Sequence, residues 1–399
     1  IGYDADMKVL QIVPFFYPAW AHGGPVRVAY ELSRALARRG HEITVYTTDT
    51  LDRNSRIAAG AQVEDLDGIK VHYFRNLSNR LASRNHLFLA PSYVKAVRRN
   101  LRDFDIVHLH GARTTLNLPA YYYAQKHGVS YVLHAHGTLP RITSQVKMKA
   151  LYDKLGGFGI LRNASKVMAL TETEADQFRS MGVDQDKIEI VPNGIDPTEY
   201  SDLPARGGWR HQHGIGKDDR LILYLGRIHE TKGINLLVEA FVDIAGRLDG
   251  ARLAIVGPDD GYLATLEKLI ADHGIGDRIS ITGPLYGQDK LMAYVDADVF
   301  VTPSFYGFPV TFVEACACGL PVVTTQAMGD LDWLDGQAGL VVPFDKDQIG
   351  DAITRILTDD KMRLEFGENG KMLVRDRFGW PTIAEQAEQA YLSCLSRSN

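Results

Sequence analysis

Thirteen short apolar runs, three to six residues long and rich in β-branched side chains, recur along this chain with longer amphipathic stretches between them. Strand, helix and strand in succession is the repeat unit of a parallel sheet, so the pattern confines the fold to α/β architectures. In the first half the runs are Lys8 to Val13, Ile43 to Thr47, Ile69 to Phe74, Ile106 to His110, Tyr131 to His134, Val167 to Leu170 and Ile188 to Val191. In the second they are Leu221 to Leu225, Leu253 to Val256, Ile279 to Thr282, Val299 to Thr302, Val322 to Thr325 and Leu340 to Val342. The helix after the first run is expected to start at Pro25, to carry Ala29, Leu32 and Leu36 on one face, and to stop at Gly40. The rhythm breaks over residues 192–217, which are rich in Pro, Gly and polar side chains. A length of 399 residues exceeds one ordinary core. We therefore expect two doubly wound, Rossmann-like domains over 7–195 and 218–376, a linker over 196–217, and a terminal segment over 377–399. Two such domains, each with loops at the carboxyl ends of its strands, would face each other across a cleft.

Composition narrows the setting. The chain is 45% apolar and 23% charged, as a water-soluble globular protein is. No apolar run approaches the roughly 18 residues of a spanning helix, and the stretch from Met7 to Val13 is too short for a signal peptide. A cytoplasmic location is the expectation, with residues 1–6 set aside from the fold argument. Cys316 and Cys318 lie on one apolar helix and Cys394 stands alone, so buried free thiols are expected. The net charge of −5 conceals an asymmetry: residues 1–200 hold 25 Lys/Arg against 20 Asp/Glu, and the remainder 19 against 29. Between Lys70 and Lys166 the balance is 16 basic to 3 acidic, with Tyr93, Val94, Val97, Leu101, Val146, Leu151, Leu155 and Phe158 interleaved. Such a face suits an anionic membrane surface or an anionic soluble acceptor. No nucleic-acid-binding motif accompanies the charge, so nucleic acid is not an expected partner.

The stretch from Thr302 to Val323 reads as strand end, glycine turn, helix, glycine stop and strand. Gly307 and Phe308 form the turn, and the helix beginning at Pro309 or Val310 directs the amides of Val310 and Thr311 toward a bound anion. Glu314, one turn further in, is placed to accept hydrogen bonds from a polyol such as ribose. Phosphate together with ribose points to a nucleotide. Arg227 and Lys232, on the loop after the first strand of the second half, offer a planar donor array and a point charge for two phosphates. Gly257 and Leu285, after the next two strands, are further candidate nucleotide-binding residues. In the first half, Gly23 and Gly24 precede the Pro25 helix as a second amide cradle. His134 and His136 point the same way at a strand end, His136 nearer the cleft and the better candidate to touch substrate. His108 is expected to be a core residue. Asp296 with Asp298, and Asp330 with Asp332, have acid-x-acid spacing without further ligands, so no metal is expected. No Ser-His-Asp or zinc constellation is present.

The ordered set of these motifs resembles the retaining glycosyltransferases of family GT4, which have the GT-B fold. The resemblance runs through Gly23-Gly24, Asp105 to His110, His136-Gly137, Val191 to Asp196, Gly226-Arg227 with Lys232-Gly233, Val256-Gly257, Thr282-Gly283, Asp298 to Ser304, Glu314-Ala315 and Phe378 to Pro381. It implies a nucleotide-diphosphate sugar on the second domain, UDP in preference to GDP, and a glycan or lipid-linked acceptor on the first. The resemblance also implies ribose at Glu314, the diphosphate at Arg227 and Lys232, the distal phosphate or sugar at Val310 and Thr311, and the sugar at His136. Same-face attack assisted by the leaving phosphate would require no protein nucleophile, Arg227 and Lys232 would supply the charge stabilisation that a metal otherwise provides, and the terminal helix would cross back to the first domain. Tyr306 stands where the family usually has a glutamate eight positions before Glu314; its phenol can hydrogen-bond the sugar but brings no charge. Pro309 replaces a frequent glycine and removes one amide donor. Two other readings follow: a non-catalytic sugar-nucleotide-binding protein or subunit, and a sugar-nucleotide epimerase or hydrolase.

Overall fold

Each of the thirteen runs forms a strand, and every pairing between these thirteen is parallel. The computed structural model describes residues 6–57, 63–139, 146–305, 307–326 and 331–396. The chain divides into two units, Ile1–Asn193 with Trp380–Asn399, and Gly194–Gly379.

The first unit is built on β1 (Lys8–Ile12), β2 (Glu42–Thr48), β3 (Val63–Leu66), β4 (Ile69–Phe74), β5 (Ile106–His110), β6 (Ser130–His134), β7 (Lys166–Ala169) and β8 (Ile188–Ile190), in the order β3-β4-β2-β1-β5-β6-β7-β8. Helices cover both faces, which is why its strands read as near-continuous apolar runs. Leu10 and Ile12 enter one core while Val9 enters the other. Strand β3 is the one pairing that apolar periodicity does not reveal. It runs antiparallel to β4 at the sheet edge, and its Glu64 and Asp65 hide it. Its cue is the turn Asp67-Gly68, where both residues have positive φ (53° and 81°), the geometry of a tight hairpin. The helix Gly24–Arg38 starts at the expected proline, and the last helix, Trp380–Leu395, belongs to this unit. It packs Trp380, Ile383, Ala387 and Tyr391 into the core that holds Val9, Leu32 and Val71.

The second unit contains β9 (Arg220–Leu225), β10 (Ala251–Val256), β11 (Ile279–Thr282), β12 (Val299–Thr302), β13 (Val322–Thr325) and β14 (Gly339–Val342), ordered β11-β10-β9-β12-β13-β14. Residues 196–217 lie within it: Trp209 and Ile215 are core residues, and Arg210 is fully buried. The Arg210 guanidinium donates to Asp298 Oδ2 and to the Asp296 carbonyl, both at 2.8 Å. Asp296 in turn accepts from the Gly207 and Arg210 amides. A buried charge is tolerable when paired and fully hydrogen-bonded, so polar composition here marks an anchor. Both carboxylates of that acid-x-acid pair are thereby engaged; Asp330 of the other pair lies outside the described residues. Cys316 and Cys394 are buried and Cys318 is half-buried, all free thiols. Among the described residues no helix is long and apolar enough to cross a membrane.

Candidate functional site

Because β9 to β14 are all parallel, the loops after β9, β10, β11 and β12 emerge at one edge of the sheet. The strand order reverses between β9 and β12, and such a reversal opens a crevice beyond the strand ends. Arg227 and Lys232 follow β9, Gly257 follows β10, Leu285 follows β11, and Gly307 to Thr311 follow β12. The β9 and β10 loops are locked together: Ile228 N–H donates to Pro258 O at 2.9 Å and Asp260 N–H to Ile228 O at 3.0 Å. Gly257 has φ +151°, and a Cβ there would lie 1.8 Å from Gly226 O, so only glycine fits. The β9 and β12 loops also adjoin, since a Cβ on Gly233 would meet Pro303 at 3.1 Å.

The electrostatics of this edge are lopsided. Arg227 is largely exposed and pairs with Asp260. The ammonium of the half-buried Lys232 makes no hydrogen bond or ion pair among the described residues. Burial, together with the neighbouring Arg227 guanidinium, pulls its ammonium below the ordinary lysine range. An anion beside a partly desolvated cation would offset that cost. Gly307 has φ +76° and open space where a Cβ would be. Beyond it, Val310 N–H donates to Phe308 O at 3.0 Å, so that amide is occupied locally, whereas Thr311 N–H has no partner among the described residues. Phe308 is half-buried against Phe378, with ring centroids 5.7 Å apart, and Leu285 is half-buried against the same core. Tyr306 lies outside the described residues.

Glu314 is buried on the helix Val310–Ala317, and sequence reasoning missed what holds it. Lys290 Nζ donates to Oε1 at 2.8 Å and Tyr294 Oη to Oε2 at 3.0 Å. Both come from the helix Gly287–Asp296, four residues apart and thus on one face. That spacing is visible in the sequence, but nothing there says which carboxylate it meets.

In the first unit the strand order reverses between β1 and β5, so the Gly23 loop and the His110 end flank the corresponding crevice. Gly23, at φ +85°, caps the Gly24–Arg38 helix; a Cβ on Gly23 or Gly24 would meet nothing within 4 Å. Four histidine rings stack beneath the strand ends, with centroids 4.1 Å apart for His108 and His110 and 3.9 Å for His134 and His136. His108 Nδ1 lies 2.7 Å from Tyr391 Oη, and His110 Nδ1 lies 2.9 Å from His136 Nε2. His136 adopts φ +53°, and Glu174, unforeseen from sequence, holds the turn by accepting from Gly137 N–H at 2.6 Å and Leu170 N–H at 2.8 Å. Burial pushes His136 down to about 3 and holds His108, His110 and His134 well below the ordinary histidine range, so all four are neutral at physiological pH.

Comparison with known proteins agrees with this architecture. Residues 22–199 match the family described as Glycosyltransferase Family 4, and residues 206–372 match Glycosyl transferases group 1. The chain is a GT4 glycosyltransferase. It has the GT-B fold, belongs to a family that retains anomeric configuration, and takes sugar from a nucleotide-sugar donor. A D-inositol 3-phosphate glycosyltransferase of Xylanimonas cellulosilytica is 29% identical, with 99% of this chain and 98% of that protein covered. A GDP-mannose-dependent alpha-(1-6)-phosphatidylinositol monomannoside mannosyltransferase of Mycolicibacterium smegmatis is 30% identical over 49% of this chain and 53% of its own length. Among solved structures, Anabaena HepE in complex with UDP superposes with a TM-score of 0.75 at 19% identity, covering 96% of this chain and 99% of that one.

Proposed function

We propose that this glycosyltransferase moves a hexose from a UDP-sugar, in preference to a GDP-sugar, to a glycan or lipid-linked acceptor, without a divalent ion. The donor is assigned to the second unit and the acceptor to the first. One observation carries the reading: Lys232 is a half-buried ammonium without a partner among the described residues, beside Arg227, at the reversal of strand order. Two cations there would neutralise the diphosphate as it leaves, the task a metal performs in other sites. Within the second unit, Thr311 N–H would meet the distal phosphate and Glu314 the ribose. The donor choice is supported by HepE, solved with UDP and with UDP-glucose. A lipid-linked acceptor is supported by the phosphatidylinositol-mannoside relative and by the first unit, where Leu77, Leu81, Leu89, Val94, Leu151 and Leu155 are exposed within the basic region. That combination suits the surface of an anionic membrane.

The test is calorimetry and turnover with EDTA present. Lys232→Met should weaken UDP by roughly 30-fold or more, the scale of a lost charge-assisted contact of about 2 kcal/mol or above. Its ligand-free melting temperature should not fall, because an unpaired buried charge is removed. Unchanged affinity for UDP, GDP and ADP would reject the assignment.

A further inference from the structure

Resting on the ribose reading of Glu314, we propose that Lys290 is the second half of the ribose clamp and sets the demand for a 2′- and 3′-hydroxylated nucleotide. The argument starts from counting lone pairs. A carboxylate offers about four acceptor sites. Lys290 takes one on Oε1 and Tyr294 one on Oε2, which leaves both oxygens able to accept once more. Two acceptor sites held side by side at a fixed angle match two vicinal hydroxyl donors.

The orientation is enforced rather than incidental. Tyr294 is fully buried, and the proximity of Glu314 helps burial drive its phenol far above the ordinary tyrosine range, so it remains a donor. The Lys290 and Glu314 side chains keep 18% and 12% of their exposure, enough for a ligand to reach the pair from one side. The Lys290 ammonium carries three protons and spends one on Oε1. A second can go to the oxygen of the same hydroxyl that donates to Glu314, closing a ring in which the hydroxyl both gives and receives. A hydroxyl bound twice, through charge-assisted bonds, is discriminated more sharply than one bound once. Lys290 is therefore a residue of nucleotide recognition, and Tyr294 a positioning residue.

Calorimetry separates this from the reading beneath it. The probes are UDP, GDP and ADP, then the 2′-deoxy form of whichever binds tightest, with wild type, Glu314→Ala, Lys290→Met, Lys290→Arg and the Glu314→Ala/Lys290→Met double variant; melting temperatures confirm folding. Lys290→Met is expected to weaken the ribonucleotide roughly tenfold or more and to narrow the gap between ribo and deoxy forms. Lys290→Arg should recover most of the loss. In the Glu314→Ala background the lysine change should add no more than about twofold, since the two act on one group. If Glu314→Ala binds all three nucleotides as wild type does, the ribose reading falls. If Glu314→Ala weakens binding while Lys290→Met does not, or the two losses multiply, the clamp falls alone. Should Lys290→Met unfold, failure of Lys290→Arg to retain the preference for the ribonucleotide overturns the proposal.

Discussion

The histidine stack makes the first unit acid-sensitive by an amount that can be worked out. His108, His110, His134 and His136 all have folded-state values below the ordinary 6.5, with burial the leading cause. Between 6.5 and the folded value the unfolded chain binds a proton that the native protein refuses. Stability is therefore complete above pH 6.5 and is lost as pH falls toward about 3, the value for His136. At pH 5.5 each unfolded histidine gains about 1.4 kcal/mol from protonation, against about 0.1 kcal/mol at pH 7.5. His136 alone should remove about 1.3 kcal/mol between those pH values, and the other three act in the same direction. His134 isolates one share. Among the described residues both its ring nitrogens are enclosed without a partner, and its ring stacks on His136 at 3.9 Å, so phenylalanine keeps an aromatic ring there, a somewhat larger one, and removes the proton site. In urea unfolding followed by circular dichroism, with amide exchange at β5 and β6 assigning the transition, the stability of His134→Phe relative to wild type should rise by about 1.3 kcal/mol between pH 7.5 and pH 5.5, whatever its packing costs at pH 7.5. Equal pH dependence in the two proteins would refute the reasoning.

Other outcomes follow from single contacts. Gly257→Ala places a Cβ 1.8 Å from Gly226 O and should cost more than about 3 kcal/mol, seen as a melting temperature lowered by several degrees. Arg227→Ala breaks an exposed pair with Asp260, so thermal melting should move by no more than about 1 °C. The same variant should lose roughly tenfold or more in nucleotide affinity by calorimetry. Flotation with phosphatidylglycerol vesicles should recover the protein at low salt and release it at high salt; binding that ignores salt would count against an electrostatic surface.

The candidate site was legible wherever chemistry is local in the chain. Arg227, Lys232 and the Gly307 turn follow strand ends, and Glu314 lies one turn into a helix, all marked out by apolar periodicity and glycine placement. Partners from distant segments were not legible. Lys290 and Tyr294 look like ordinary helix residues until their helix is laid beside Glu314, and Glu174 looks like a surface acid until it is found under the His136 turn. Similarly, residues 196–217 have a linker's composition, yet Arg210 is buried against Asp298 from 88 positions away.

Local sequence thus determined the two parallel sheets, their strand bounds to within a residue or two, and the loops that carry charge, because strand propensity, helix starts and glycine conformations act over a few neighbouring residues. Tertiary structure decided which of those charges are satisfied. Among the described residues the Lys232 ammonium is left without a partner, Glu314 is gripped by two donors, and His108, His110 and His134 are fully buried, because hydrogen bonding and desolvation depend on what packs alongside in space, which spacing along the chain does not encode.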